Sequence, residues 1–156
     1  MKQGTLGRID EHHWLRQAER PAWLAWAGCS FESLCLKNVD KIKRALGISG
    51  VSTTQSSWSY APGSGDPGPG AQIDLVIDRA DRTINLCEIK FGRGEIEITA
   101  SLRRDLERKK AVFKEQTGTR SLLLTTLIAA EGVKQGKHYL GVVDRELTMD
   151  CLFVPE

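Results

Sequence analysis

The sequence predicts a single α/β domain in which helices flank a central mixed β-sheet. Residues 30–46 and 99–116 carry apolar side chains at helical spacing. Residues 72–78, 84–91 and 121–129 are short runs rich in branched apolar residues, which are typical of buried strands. A chain of 156 residues is long enough for one domain with a hydrophobic core.

The composition indicates a soluble protein of ordinary type, with 40% hydrophobic and 27% charged residues. No apolar run approaches membrane-spanning length, and the N-terminus lacks the apolar segment of a signal peptide. Cys29, Cys35, Cys87 and Cys151 show no CxxC pairing, so neither a zinc site nor a disulfide framework is indicated. We therefore expect a reduced, cytoplasmic protein.

The first half of the chain divides into an arm, a helix, a strand and a loop. We interpret residues 1–22, which are polar and mixed, as an N-terminal arm or linker before a domain of residues 23–156. Ser30 is a suitable N-cap for the first helix, and Gly47 is a good C-terminal stop. Residues 50–60, rich in Thr and Ser, predict a strand. The density of Pro and Gly in residues 61–70 predicts a flexible loop.

The second half begins with a hairpin whose turn lies at residues 79–83. The helix of residues 99–116 then carries a basic cluster on its exposed side, and Gly118 ends it. Such a cluster is either a solvated surface or a set of phosphate contacts, and the candidates for phosphate contact are Arg103, Arg104, Lys109 and Lys110. Residues 139–143 and 147–154 are expected to form two further strands.

Three charged residues lie inside the apolar hairpin: Asp74, Glu88 and Lys90. A charge in a buried strand is costly unless it is paired or binds a metal. Residues two apart on a strand share a face, so Glu88 and Lys90 project the same way, roughly 6.6 Å apart along the chain. Carboxylates of this kind hold a hard divalent cation, and a lysine ammonium stabilises charge that develops on a phosphate.

An Asp followed by a strand that ends in Glu-x-Lys resembles the PD-(D/E)xK nuclease superfamily. The wider string GAQIDLVIDRADRTINLCEIKF is similar to the PD-(D/E)xK domain found at the C-terminus of a group of prokaryotic AAA-type ATPases, and the similarity extends over about residues 23–153. The resemblance implies a restriction-endonuclease-like αβββαβ core and metal-dependent hydrolysis of nucleic acid, with DNA as the expected substrate. The chain contains no phosphate-binding loop, so an ATPase would be a further domain or a partner subunit.

The resemblance also implies roles for individual residues. Asp74, Glu88 and Lys90 would be catalytic, and Glu32, Asp74, Glu88 and the backbone carbonyl of Ile89 would bind Mg²⁺ or Mn²⁺. Gln72, two residues before Asp74, would be an auxiliary contact. Glu32 has an alternative interpretation as an acidic residue that the dipole of its helix favours.

The register of the hairpin tests this interpretation. Directly opposed residues of an antiparallel pair point the same way, so Asp74 and Glu88 share a face only with an odd-length turn such as residues 80–82, or with a bulge. The apolar pattern favours an even register, which would place Asp74 on the other face.

A non-catalytic module for DNA binding, or for docking to and regulation of an ATPase, is the alternative function.

Overall fold

The computed structural model describes residues 20–65 and 68–155, which form a β-sheet covered by helices on both faces. The strands are β1 (Thr53–Tyr60), β2 (Ala71–Arg79), β3 (Thr83–Lys90), β4 (Ile96–Glu97), β5 (Leu122–Ala129), β6 (Val133–Lys134) and β7 (Arg145–Thr148). The helices are α1 (Pro21–Lys37), α2 (Val39–Ala45) and α3 (Ala100–Thr117), and a 3₁₀ turn spans Met149–Leu152. Most of the predicted N-terminal arm lies outside the described residues.

The main sheet has the strand order β1-β2-β3-β5-β7. Strands β1, β2 and β3 form an antiparallel meander, whereas β5 runs parallel to β3, and β7 runs parallel to β5. Two neighbouring parallel strands require a crossover connection, which α3 provides between β3 and β5. The predicted α/β domain with a mixed sheet, and its order of helix, three strands, helix and strand, is confirmed.

Strand β3 is central, and both of its faces are covered. Cys87 and Ile89 pack in the core beneath α1 and α2, whereas Leu86 packs with Phe113 of α3 on the opposite face. All six residues from 84 to 89 are buried. Burial on both faces explains why this strand is a continuous apolar run interrupted by a few polar side chains.

Helix α1 begins nine residues earlier than the sequence predicted, because Pro21 occupies its first turn and suits that position. The predicted N-cap, Ser30, lies in the middle of α1 and the prediction was wrong. Ala27, Phe31 and Cys35 form the buried face at spacings of four, so the helical pattern continues upstream of Ser30.

The ends of the other helices follow the expected chemistry. Gly47 and Gly118, with φ of 72° and 61°, lie just after α2 and α3 in the left-handed conformation that glycine favours. The hydroxyl of Thr99 accepts the Leu102 amide at 3.2 Å and caps α3. Among the described helices, none is long and apolar enough to cross a membrane.

The C-terminal segment differs from its prediction. Residues 139–143 are turns rather than a strand, because the Tyr139 amide donates to the carbonyl of Gly136 and Gly141 has φ of 79°. Strand β7 ends at Thr148, and the 3₁₀ turn replaces the remainder of the second predicted strand.

Candidate active site

The hairpin of β2 and β3 has an odd-length turn, and its pairing ends beside the two strand carboxylates. A turn of three residues, 80–82, joins the strands, and Leu75 lies opposite Cys87. This pair is the last of the ladder, and Asp74 and Glu88 are the next residue of each strand. The even register favoured by the apolar pattern was wrong, and the odd-length turn required by the nuclease interpretation is present.

The apolar pattern misled because both faces of the hairpin are buried. Leu75 and Ile77 pack towards α1 and α2, whereas Ile84 and Leu86 pack towards α3. An apolar side chain suits either face of such a sheet, so alternation carries no information about which residues are opposed.

A β-bulge in β2 adds to this geometry at the position of the first carboxylate. Ser56 of β1 lies opposite Val76, but Trp58 lies opposite Ile73, so the register shifts by one residue between them. Two residues of β2 therefore face a single residue of β1, and Asp74 is the first of the two. Bulges of this kind bend a strand and change the direction of a side chain.

The carboxylate of Asp74 binds the backbone of β3. Its Oδ2 atom accepts a hydrogen bond of 2.8 Å from the amide of Ile89, the residue between Glu88 and Lys90. The N–H and C=O of one residue in a strand point to the same side, so the Ile89 carbonyl is directed towards the edge where Asp74 lies. Asp74, Glu88 and Lys90 therefore meet around one residue of β3.

The pKa of Asp74 is raised, first by burial and then by neighbouring negative charge. Burial raises this pKa above its ordinary value; the hydrogen bond from Ile89 opposes the rise, and the charges of Glu88 and Glu32 add to it. Glu32, half-buried on α1, thus contributes repulsion to the same space. A bound cation would relieve that repulsion.

Glu88 is a buried carboxylate held between two lysines. It is 6% exposed, and its Oε1 atom lies 2.9 Å from the ammonium of Lys90. Its Oε2 atom lies 2.7 Å from the ammonium of Lys109, which reaches across from α3. A carboxylate at this depth is stable as an anion only with such partners.

Lys109 therefore points inward, although the sequence suggested a phosphate contact for it. Its side chain is 15% exposed, compared with 34% for Lys90, and its ammonium also lies 3.4 Å from Asp105. Burial alone would lower the pKa of Lys109, but the hydrogen bond and the charge of Glu88 outweigh burial and raise it.

The other three basic candidates on α3 differ in their surroundings. Arg103 pairs with Glu107 at 2.9 Å, and Lys110 lies 3.5 Å from Asp144. Arg104 is exposed and donates to a carbonyl of its own helix. Arg104 is thus the candidate whose charge is most accessible to a phosphate.

Gln72, the predicted auxiliary residue, is exposed on β2 and lies level with Ser59 of β1. Asp105 also belongs to the site, although it was not predicted from the sequence. Its spacing of four residues from Lys109 on one helix was the available signal, because residues so spaced share a helix face.

The donors at this site suit a hard divalent cation. The described part of the chain contains no group of three or more His, Cys, Asp or Glu side chains placed to hold a metal ion. A cation here would therefore have at most two such side chains among its ligands, so Glu32, Asp74 and Glu88 would not all bind it. Mg²⁺ commonly binds through one or two carboxylates and keeps several of its waters, so this smaller set of oxygen donors fits it.

Comparison of the chain with protein-family models, with curated proteins and with solved structures finds no match. The chemistry available to the site is therefore inferred from its own residues. Two acids, a backbone carbonyl and two lysines are arranged around β3, which suits binding of a cation beside a phosphate.

Proposed function

We propose that this domain hydrolyses phosphodiester bonds of nucleic acid, with DNA as the substrate and Mg²⁺ or Mn²⁺ as the cofactor. The observation that carries the proposal is the hydrogen bond from the Ile89 amide to Asp74, between Glu88 and Lys90. This bond supports the convergence of two acids and a lysine at one edge of the central strand, although Asp74 lies on the neighbouring strand of the hairpin.

Each residue has a role that follows from its position. Asp74, Glu88 and the Ile89 carbonyl would hold the cation, which would lower the pKa of a water molecule and neutralise charge on the phosphate. Lys90 is 34% exposed, so its ammonium can reach a substrate phosphate and stabilise the charge that develops there.

Calorimetric titration with Mn²⁺ tests the proposal directly. The unmodified protein should bind Mn²⁺, whereas Asp74→Ala should lose binding because it removes a carboxylate donor. Asp78→Ala is the matched control, since Asp78 is exposed on the same strand and should leave binding unchanged. The unmodified protein and Asp78→Ala should also cleave labelled DNA, whereas Asp74→Ala should not. Absence of Mn²⁺ uptake by the unmodified protein would contradict the proposal.

A non-catalytic module remains the second candidate, and two observations favour it. Both oxygens of Glu88 already bind lysines, as in a purely structural ion pair. Trp26 is 64% exposed on α1, beside Trp23, whose ring centroid lies 6.0 Å from that of Phe91. Such an aromatic surface suits contact with a protein such as an AAA-type ATPase subunit. A folded protein that takes up no metal would favour this function.

A further inference from the structure

The two lysines that bind Glu88 differ in how firmly each is held. Lys109 extends from the middle of α3, is 15% exposed, and is shared between Glu88 and Asp105. Lys90 is the last residue of β3, is 34% exposed, and pairs with Glu88 at 2.9 Å. The two ammonium groups therefore have unequal freedom to leave the carboxylate.

The surroundings of Glu88 increase this difference. Glu88 and Lys109 line a small, mostly apolar pocket whose other lining residues are Ile73, Leu86, Cys87, Leu106, Lys110 and Thr125. Water competes poorly for a carboxylate in such surroundings, so an ammonium fixed there determines the direction of the carboxylate. Lys90, at the strand end, is closer to solvent.

We propose that Lys109 is a positioning residue that fixes the Oε2 atom of Glu88, while Lys90 is the lysine that releases Oε1 to a divalent cation. This inference rests on the proposed function, since it concerns how Glu88 is presented to the metal. Lys109 acts through Glu88 and does not contact the substrate.

The sign of the effect distinguishes positioning from simple charge. If Lys109 were only a competing positive charge, its removal would tighten cation binding. If it positions Glu88, its removal should weaken binding, because partners that orient a metal ligand typically contribute about 10–100-fold to metal affinity. Removal of Lys90 should leave affinity unchanged or improve it, because a competitor for Oε1 is lost.

Mn²⁺ affinity measured by calorimetry on the full chain tests this division of roles. We expect Lys109→Met to bind Mn²⁺ about 10-fold or more weakly. Lys109→Arg should recover most of that loss because it restores a cation at Oε2, and Lys90→Met should bind as well as the unmodified protein or better. Unfolding curves for each variant establish that the proteins compared are folded.

Asp105→Asn provides a second variant should Lys109→Met fail to fold. Asp105 is half-buried on α3 and holds the Lys109 ammonium together with Glu88, so its loss leaves that ammonium less firmly fixed. Asp105→Asn should weaken Mn²⁺ binding in the same direction, by about 3-fold, less than the full loss of an orienting partner. Glu107→Gln is the matched control, because Glu107 is an exposed acid of the same helix that pairs with Arg103.

The outcomes separate this inference from the proposed function. An unmodified protein that takes up no Mn²⁺ overturns both. Uptake by the unmodified protein with equal or tighter binding by Lys109→Met overturns the role of Lys109 alone. Weakened binding by Lys90→Met, or no recovery in Lys109→Arg, also overturns the assignment.

Discussion

At the scale of single residues, Glu88 is the carboxylate that pairs with both lysines of the site. Glu88→Gln keeps the side-chain shape but leaves the ammonium groups of Lys90 and Lys109 facing a neutral amide. Breaking a fully buried pair costs about 3–5 kcal/mol. The partial exposure of Lys90 screens part of this effect, so we expect a loss of about 2 kcal/mol in the free energy of unfolding, measured by urea denaturation.

Glu107→Gln is the control for that measurement, since its ion pair with Arg103 lies at the surface. It should change the free energy of unfolding by less than about 0.5 kcal/mol. A double variant, Glu88→Met with Lys109→Met, should recover stability relative to Glu88→Gln, because an apolar pair replaces an unbalanced charge. Equal stability of Glu88→Gln and the unmodified protein would show that the two lysines do not depend on this carboxylate.

Neutralising Asp74 should raise stability, whereas neutralising Glu88 should lower it. Burial raises the pKa of Asp74, so its contribution to stability is present below pH 3.8 and is lost as the pH rises through the raised pKa. Asp74→Asn cannot ionise and can still accept the Ile89 hydrogen bond. This variant should be more stable than the unmodified protein at neutral pH while losing Mn²⁺ binding. Its advantage should disappear in acid, as urea denaturation at several pH values would reveal.

Asp78→Asn, at an exposed residue of the same strand, is the matched control. A variant Asp74→Asn that is less stable than the unmodified protein at neutral pH would mean that a favourable partner of the charge outweighs its burial. Metal binding by that variant would show in addition that the charge of Asp74 is dispensable.

At the scale of elements, the turn between β2 and β3 sets the register on which the site depends. Arg82 has φ of 60°, and its amide donates to the carbonyl of Arg79 at 3.2 Å. A three-residue turn commonly ends in such a left-handed residue. A β-branched side chain is strained there. The free energy of unfolding of Arg82→Val should therefore be about 1 kcal/mol lower than that of Arg82→Gly.

Asp81, the preceding residue, gives the matched comparison, because its φ is not positive. Asp81→Val should be at least as stable as Asp81→Gly, since glycine gains more freedom in the unfolded chain. The same order at both positions would show that Arg82 is not held in the left-handed conformation. Chemical denaturation of the four variants makes the comparison.

Elements with one strong local signal could be predicted, and those that depend on tertiary contacts could not. Gly118 and Thr99 delimit α3 through local chemistry, so the predicted bounds of that helix are nearly those observed. Ser30 has the chemistry of an N-cap, but the buried face of α1 overrides it. Residues 139–143 have apolar side chains suited to a strand, yet the positive φ of Gly141 belongs to a turn.

At the scale of the whole molecule, the fold gathers acids from two strands with a lysine from a distant helix. The sequence pointed to Asp74, Glu88 and Lys90 because three charges in an apolar hairpin are unusual. It could not reveal that Lys109, twenty-one residues beyond Glu88, turns inward, since helical periodicity alone does not identify the partner of a lysine. The crossover through α3 creates that contact.

The same folding reduces the charge that α3 would offer to nucleic acid. Four of its six basic residues are paired with carboxylates: Arg103, Arg108, Lys109 and Lys110. Arg104 and Lys114 have no carboxylate partner among the described residues. The helix therefore presents about two accessible cations, although its sequence suggests six.

Binding of a labelled duplex at several salt concentrations, without added divalent metal, measures this difference. Each phosphate contact contributes about 0.9 to the slope of log K against log salt. Arg104→Ala should therefore reduce the slope by about 1, whereas Arg103→Ala, its neighbour on the helix, should leave the slope unchanged because that charge is already neutralised by Glu107. Equal reductions in the two variants would mean that the ion pair of Arg103 opens on binding, and that α3 offers DNA more charge than the free protein displays.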